Sequence, residues 1–264
     1  MNDNRYIAEK QGLPVLKGDE QKAHIRRALT SLHRAGGVFE IRALGPSKTK
    51  SNLWEGPAFG RKPIISGYFN DPAKAAEAAA GLDAIGCAGI YVTLNPVNQA
   101  LLARANNRLK VAPEGGTTSD ADILLLCWLL IDIDVKRPAG ISSTEEEHRA
   151  ALDRALWLKG TLSSKGWPEP LCGDSGNGAH LLYRLPDLAN TEENKNVLKD
   201  TLNALGDLYD TKAGSDGTIR LDIDRTVFNP ARITKLYGTH ARKGDHTPER
   251  PHRQAQIIGG TGDE

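Results

Sequence analysis

Apolar positions along the chain follow two rhythms, and their order sketches the fold. After a polar arm at residues 1–18, Ile25, Leu29 and Leu32 recur at helical spacing behind Asp19, and Gly36-Gly37 closes that helix. Val38–Leu44 alternates as a strand, residues 46–61 form a long polar loop, and Ile64–Phe69 is a second strand. Asp71 followed by Pro72 is a cap with proline in the first turn, and predicts an alanine-rich helix to Gly86. Gly89–Leu94 is a strand, and Gln99–Arg108 reads as a short helix carrying Arg104 and Arg108. The Gly/Ser/Thr-rich residues 112–122 are the best candidate for a link between two lobes.

The second half is patterned more sharply. Ile123–Ile133 is an apolar run with the length of a strand buried on both faces. Ser143 and Thr144 precede three glutamates, a capping-box signature, and the helix behind them presents Ala151, Ala155, Leu158 and Leu162 on one side before Gly166 ends it. Pro170–Gly173 and Ala179–Leu185 are strands, Thr191–Tyr209 is a helix burying Leu198, Leu202 and Leu205, and Thr218–Asp224 is a last strand. This β-α-β-β-α-β order predicts an α+β fold with the split βαβ sheet shared by ferredoxin-like and RNA-recognition folds. In that sheet the first strand lies between the third and fourth, antiparallel to both, so the end carrying Asp132 and Asp134 meets the start of the strand carrying His180.

Composition changes this picture little. The hydrophobic share is 39% and the charged share 25%, ordinary for a soluble globular chain. The longest purely apolar run, Ile123–Ile131, is less than half a membrane span, and the opening residues lack a signal-peptide core, so a cytoplasmic protein with no membrane partner is expected. Cys87, Cys127 and Cys172 form no metal-binding pattern and are expected as buried thiols. Net charge is only +1, which excludes a globally basic nucleic-acid binder. Charge is segregated, however. Residues 225–253 hold seven basic side chains against two acidic ones, and residues 187–210 hold six acids against two lysines. Such asymmetry fits one face made for an anion, or a basic loop that pairs with the acidic helix.

Asp132 and Asp134 project to the same side of a strand. Two carboxylates leaving an apolar strand repel each other unless a cation lies between them, and oxygen ligands suit Mg²⁺ or Mn²⁺; alternatively the strand ends in acids because it reaches solvent. A second D-I-D, Asp222 and Asp224, falls on the strand expected beside the first. Paired carboxylates from neighbouring strands are what a two-metal phosphoryl-transfer site uses. Ser175-Gly176-Asn177-Gly178 joins two strands; its glycines allow backbone N–H groups to face an anion, though the tetrapeptide is also a good turn. His180 follows directly. Arg232 and Lys235 lie just past the second acidic pair, with the chemistry to bind phosphates.

Asp132-Ile133-Asp134, then Ser175-Gly176-Asn177-Gly178-Ala179-His180, then the run from Ile223 to Gly244 that includes Val227, Asn229-Pro230-Ala231-Arg232, Lys235 and Arg242-Lys243, resemble in order and spacing the archaeo-eukaryotic primase superfamily. The match is to its primase-polymerase branch of phages, plasmids and other mobile elements. It covers residues 64 to 253, including Ser66-Gly67-Tyr68-Phe69 and Tyr91-Val92-Thr93-Leu94-Asn95-Pro96. The resemblance implies an RRM-like catalytic sheet at 120–253 beside an N-terminal α/β lobe at 19–111, together one domain, with arms at 1–18 and 254–264. It implies a template-directed nucleotidyltransferase that uses NTP or dNTP on single-stranded DNA, with a fused or separate helicase. Asp132, Asp134 and Asp224 match the metal ligands of a two-metal Mg²⁺ or Mn²⁺ site. Ser175, Gly176, Asn177, Gly178 and His180 match the motif that contacts the nucleotide triphosphate, and Arg232 and Lys235 match basic positions of the same pocket. Arg104, Arg108, Arg242 and Lys243 are expected to track DNA. Tyr237 departs from the pattern, which has proline before Gly238-Thr239; it is expected to alter a turn and not the chemistry. Asp224 also lies late in a strand whose start should face the metals, so either that strand begins later or the sheet departs from the ideal order.

Two other readings use related architecture. A replication-initiator or origin-binding module on the same fold would have lost acids, and none is lost here. A strand-nicking relaxase needs a His-x-His pair, which this chain lacks.

Overall fold

The computed structural model describes residues 13–45, 64–211 and 219–260. The expected loop at 46–61 and residues 1–12 of the polar arm lie outside them.

The first portion contains α1 (Gly18–Leu32), β1 (Phe39–Leu44), β2 (Ile64–Phe69), α2 (Pro72–Ala84), β3 (Gly89–Thr93) and the short β4 (Lys110–Val111). Asp71 caps α2 by accepting hydrogen bonds from the N–H groups of Ala73 and Lys74. The expected helix at 99–108 is a 3₁₀ helix that stops at Arg104, so Arg108 is not on it. Here the polar run Asn106-Asn107 intervenes, and Asn107 takes a positive φ of 47°.

The second portion contains β5 (Leu125–Val135), α3 (Glu145–Ser163), β6 (Leu171–Asp174), β7 (Ala179–Ala189), α4 (Glu192–Tyr209) and β8 (Leu221–Ile223). Thr144 is the cap of α3, in a reciprocal box with Glu147. Four strands follow: β9 (Ile233–Lys235), β10 (His240–Ala241), β11 (Arg253–Gln254) and β12 (Gln256–Gly259).

The strands form two five-stranded antiparallel sheets, ordered β4-β2-β1-β3-β9 and β12-β6-β7-β5-β8, with β10 and β11 as a separate pair. In the second sheet β5 lies between β7 and β8 and is antiparallel to both. The late strand starts at Leu221, later than Thr218, which answers the question of Asp224: its N–H donates to the carbonyl of Asp132 at 2.8 Å.

The expected division at 112–122 does not describe the packing. β9 comes from the second portion yet completes the first sheet, pairing Lys235 with Tyr91 and Ile233 with Thr93. Residues 256–259, expected in a terminal arm, form the edge strand on β6. Leu16, from the other arm, donates its N–H to Gln254. One apolar core runs through both sheets and includes Leu29, Phe39, Val92, Trp128, Leu182 and Leu202.

A buried carboxylate ties the returning chain to the first helices. Asp83 on α2 accepts from Gln21 on α1 at 2.8 Å, from the His240 ring at 2.7 Å and from Arg242 at 2.7 Å. Burial alone would raise its pKa, but the bonds and charge of His240, with Arg242 behind them, hold it well below the usual carboxylate range. A carboxylate depressed in the folded state stabilises the fold above its unfolded pKa and loses that contribution as pH falls toward its folded value. Asp83→Ala leaves Arg242 and His240 without their anion, and should cost about 3–5 kcal/mol. Thermal unfolding at neutral pH reads the loss, and the gap between variant and parent should narrow in acid. An unchanged melting temperature at neutral pH would refute this account.

Candidate active site

The register of the second sheet aligns one row of residues. Gly173 on β6 opposes His180 on β7, and His180 opposes Asp132 on β5. Asp224 continues β8 beside Asp132. One step along, Asp134 opposes Asp222. Opposed residues of an antiparallel pair share a face, so Asp132, Asp134, Asp222, Asp224 and His180 all lie on the same side.

Three carboxylates so close at the end of a buried strand are electrostatically costly. Burial pushes the pKa of Asp132 upward; His180 opposes that shift, and the charges of Asp134 and Asp224 add to it. Each acid has its own countermeasure. His180 Nε2 lies 3.5 Å from Asp132 Oδ1. Arg137 clamps Asp134, with Nη1 at 2.5 Å from Oδ1 and Nη2 at 3.1 Å from Oδ2. Asp224 Oδ1 accepts from the N–H and hydroxyl of Thr226, and Asp222 pairs with Arg220 at 2.9 Å. Among the described residues, no three His, Cys, Asp or Glu side chains stand grouped at metal-ligating distance.

The cleft above this row measures about 260 Å³ and lies at the seam of the two sheets. Asp132, Asp134, Ser175 and His180 line it from the second sheet, and Tyr91, Ile233 and Lys235 from the first. Between β8 and β9 the chain crosses from one sheet to the other, and Arg232 lies on that crossing. Its Nη2 reaches Thr226 at 3.4 Å, while its buried Nε has no partner. An unpartnered buried guanidinium N–H is a donor awaiting an acceptor. Lys243 lines the same cleft from an exposed position. Lys235 is buried: its Nζ donates to the carbonyl of His240 at 2.7 Å, and burial lowers its pKa to about 7.

The glycine loop differs from expectation. Its N–H groups do not point at the cleft as a cradle. Gly176 N–H donates to Asp174 Oδ1, Gly178 N–H to Ser175 Oγ, and Ser175 N–H to the carbonyl of Gly178. Asn177 Oδ1 accepts from Ser143 N–H ahead of α3, and His148 on α3 bonds Asp174 at 2.9 Å. The loop is a self-satisfied turn bolted to α3. Of its members, Ser175 and Asn177 line the cleft.

The basic segment is also largely occupied. Arg225 pairs with Asp207 on α4, the acidic helix, and with Asp210 at its C-terminal cap, as the second reading of the charge pattern allowed. Arg242 is held by Asp83, Arg250 by Glu147 and Arg253 by Glu145. The expectation of a free cationic face over 225–253 is therefore corrected: among the described residues, Arg232, Lys235 and Lys243 are its basic side chains that meet the cleft without a carboxylate at ion-pair distance, and Lys235 is buried. Arg104 and Arg108 are exposed beside β2, and Arg104 Nη1 reaches the Tyr68 hydroxyl at 3.4 Å.

Two residues of the site were not anticipated. Arg137, three positions past Asp134, is a basic residue directly after an acidic strand end. Tyr237 contacts His180, and its departure from the family pattern was the available signal.

No family model matches the chain, and no curated protein does. Among solved structures it is similar to the crystal structure of primase RepB′, at 12% identity and a TM-score of 0.48, over 92% of this chain and 57% of that one. It is also similar to the polymerase domain of Ligase D from Mycobacterium tuberculosis in complex with DNA, at 12% identity and a TM-score of 0.44, over 93% of this chain and 88% of that one. The chain thus spans little more than half the length of the RepB′ structure.

Gly178 allows the loop to approach β5. A Cβ there would meet the Ile133 carbonyl at 2.4 Å and Asp134 Oδ1 at 3.1 Å. Gly178→Ala should force the loop outward and cost about 1–3 kcal/mol. Thermal unfolding measures it, and a parent-like melting temperature would show that the contact can relax.

Proposed function

We propose that this chain is the catalytic portion of a template-directed nucleotidyltransferase, a DNA primase or polymerase serving replication of a mobile element, with an RRM-like second sheet. The observation that carries the reading is that His180, Asp132 and Asp134 line one cleft with Arg232, whose Nε is unpartnered, and with the ammonium of Lys243, while Asp224 stands beside Asp132 on the neighbouring strand. Acids that need a cation and cations that need an anion meet in one place, and a nucleoside triphosphate with divalent metal supplies both. The motif resemblance, carried by the same residues, supports the same reaction.

Asp132, Asp134 and Asp224 would hold Mg²⁺ or Mn²⁺. Their donors are all oxygen and mutually repelling, which fits a hard divalent ion, although Asp134 would have to share its carboxylate with Arg137. Bound there, two such ions would help deprotonate a primer 3′-oxygen and offset charge on departing pyrophosphate. The protein's own part is placement. His180, the Ser175 hydroxyl and Arg232 would donate to triphosphate oxygens, Lys243 at the rim would meet a DNA phosphate, and an anion beside Lys235 would favour its charged form. Tyr91 offers a ring at the cleft wall for a base. Single-stranded DNA and a fused or separate helicase are the proposed partners, and the cytoplasm the proposed location.

The direct test incubates the protein with single-stranded DNA, Mg²⁺ or Mn²⁺, and labelled NTPs and dNTPs in separate reactions. Extension or de novo synthesis supports the reading. Nicking would identify a relaxase-type activity, and binding without synthesis an initiator module. Asp132→Ala, Asp134→Ala and Asp224→Ala should each reduce incorporation on the order of a thousandfold, several kcal/mol of transition-state stabilisation, while the fold persists. Asp222→Ala should be milder, because Asp222 is paired with Arg220. A dead Asp222→Ala beside an active Asp224→Ala would shift the assignment by one pleat.

DNA binding by this chain alone should be weak, sequence-tolerant and only moderately salt-dependent. Each phosphate contact on a single strand contributes about −0.7 to the slope of log K against log salt. Lys243→Ala should flatten that slope by about 0.7. Arg242→Ala should leave the slope unchanged and lower the melting temperature instead, since its guanidinium is committed to Asp83. A flattened slope in Arg242→Ala with parent-like stability would contradict this division of roles.

A further inference from the structure

Tyr237 is fully buried, and its hydroxyl lies 2.8 Å from Nδ1 of His180. The two rings meet edge-on at 5.9 Å between centroids. The tyrosine ring lies on Gly173, the cross-strand partner of His180, where a Cβ would come within 2.4 Å of it. Glycine at 173 is thus the space in which the ring sits. Gly238 fixes the chain behind the tyrosine, its N–H donating to the carbonyl of Ala255.

This arrangement constrains the imidazole. A neutral imidazole carries one proton, on Nδ1 or Nε2. With the proton on Nδ1, the lone pair of Nε2 would face the carboxylate of Asp132, 3.5 Å away, and the two would repel. With the proton on Nε2, that nitrogen faces Asp132 and the cleft as a donor, and Nδ1 accepts from the phenol. Burial and the charge of Asp132 both raise the pKa of Tyr237, so the phenol keeps its proton and remains able to donate.

We infer that Tyr237 is a positioning residue for His180: its hydroxyl holds Nδ1 as an acceptor, and thereby presents Nε2–H to the cleft in a fixed plane. The inference rests on the proposed nucleotide site only for its consequence, that this N–H meets a triphosphate oxygen. The ring orientation itself stands on the contacts above. Tyrosine does here what proline, the residue of the resembled family, has no group to do.

The test uses Tyr237→Phe, which keeps the ring on Gly173 and removes only the hydroxyl. His180 ring-nitrogen resonances, in a histidine-labelled sample, should keep the proton on Nε2 in both proteins, because Asp132 disfavours the other tautomer, and should move Nδ1 in the variant to the position of a nitrogen without a hydrogen bond. Nucleotide KM should rise about two- to tenfold, the scale of one neutral hydrogen bond, with kcat near the parent value. His180→Ala should raise KM about tenfold to a hundredfold, and adding Tyr237→Phe to it should change nothing further. Parent-like ring-nitrogen resonances in Tyr237→Phe would overturn the positioning role, as would a KM effect that persists undiminished on the His180→Ala background. A parent-like KM in His180→Ala would instead overturn the nucleotide reading, and the resonances would still decide what Tyr237 does. Should Tyr237→Phe melt early, the same resonances are read below its transition, where a shifted Nδ1 supports the role and a parent-like one overturns it.

Discussion

The mutual repulsion of Asp132, Asp134 and Asp224 is the constraint around which the second sheet is organised. Asp132 and Asp134 stand at the end of β5, a strand buried on both faces for most of its length, and Asp224 stands beside Asp132 just past β8. Charges leaving an apolar environment in such proximity are unfavourable unless something answers each one. The answers come from different elements: His180 from β7, Arg137 from the turn after β5, Thr226 from the turn after β8. None is adjacent in sequence to all three acids. The carboxylates can be tolerated in the folded state only if β7, β5 and β8 adopt the register that the sheet shows, so the electrostatic demand of the site and the pairing of the strands reinforce each other.

The crossing between β8 and β9 extends this logic to the first sheet. Arg232 and Lys235 reach the cleft because β9 pairs with β3, and β3 is tied back to the second sheet through Asn95. Its side chain accepts from the N–H of Cys127 on β5 and donates to the carbonyl of Pro230 on the crossing. One buried amide thus spans both sheets and the segment between them. A chain divided into independent lobes at 112–122 would lose that link. The cleft exists at a seam, and the seam is held by buried polar bonds whose loss would leave unsatisfied groups in an apolar core.

What was legible in the sequence follows the range of the interactions involved. The helices are local: Asp71-Pro72 and the Thr144–Glu147 box declare their own starts, and the helical spacing of Ala151, Ala155, Leu158 and Leu162 declares the buried side of α3. The β-α-β-β-α-β order and the neighbours of β5 could likewise be read, because connection rules limit the choices. The fates of the basic residues could not. Arg242 meets Asp83, and Arg250 meets Glu147, across more than a hundred intervening residues. A charge count along the chain registers such residues as a free cationic stretch, whereas the fold has already paired them. The glycine loop misled for a related reason. Ser175 and Asp174 absorb its N–H groups, and glycines alone do not reveal which acceptor lies nearer, a ligand or a neighbouring side chain.

The same pairing explains how a chain of near-zero net charge can still present a cleft suited to an anion. Most arginines of the 225–253 segment hold acidic side chains of α2, α3 and α4, so they act as struts between elements and contribute little field to solvent. The charge directed into the cleft then depends on a few groups: Arg232 with a donor left over, Lys243 at the rim, and Lys235, whose pKa burial lowers to about 7. Against them stand the acids of β5 and β8. Under the proposed function, a polyanion without a divalent cation would meet those carboxylates and be repelled, and a cation without the polyanion would leave Arg232 unpartnered. On that reading the cleft would be balanced for the two together, and would take a metal–triphosphate complex in preference to either component alone.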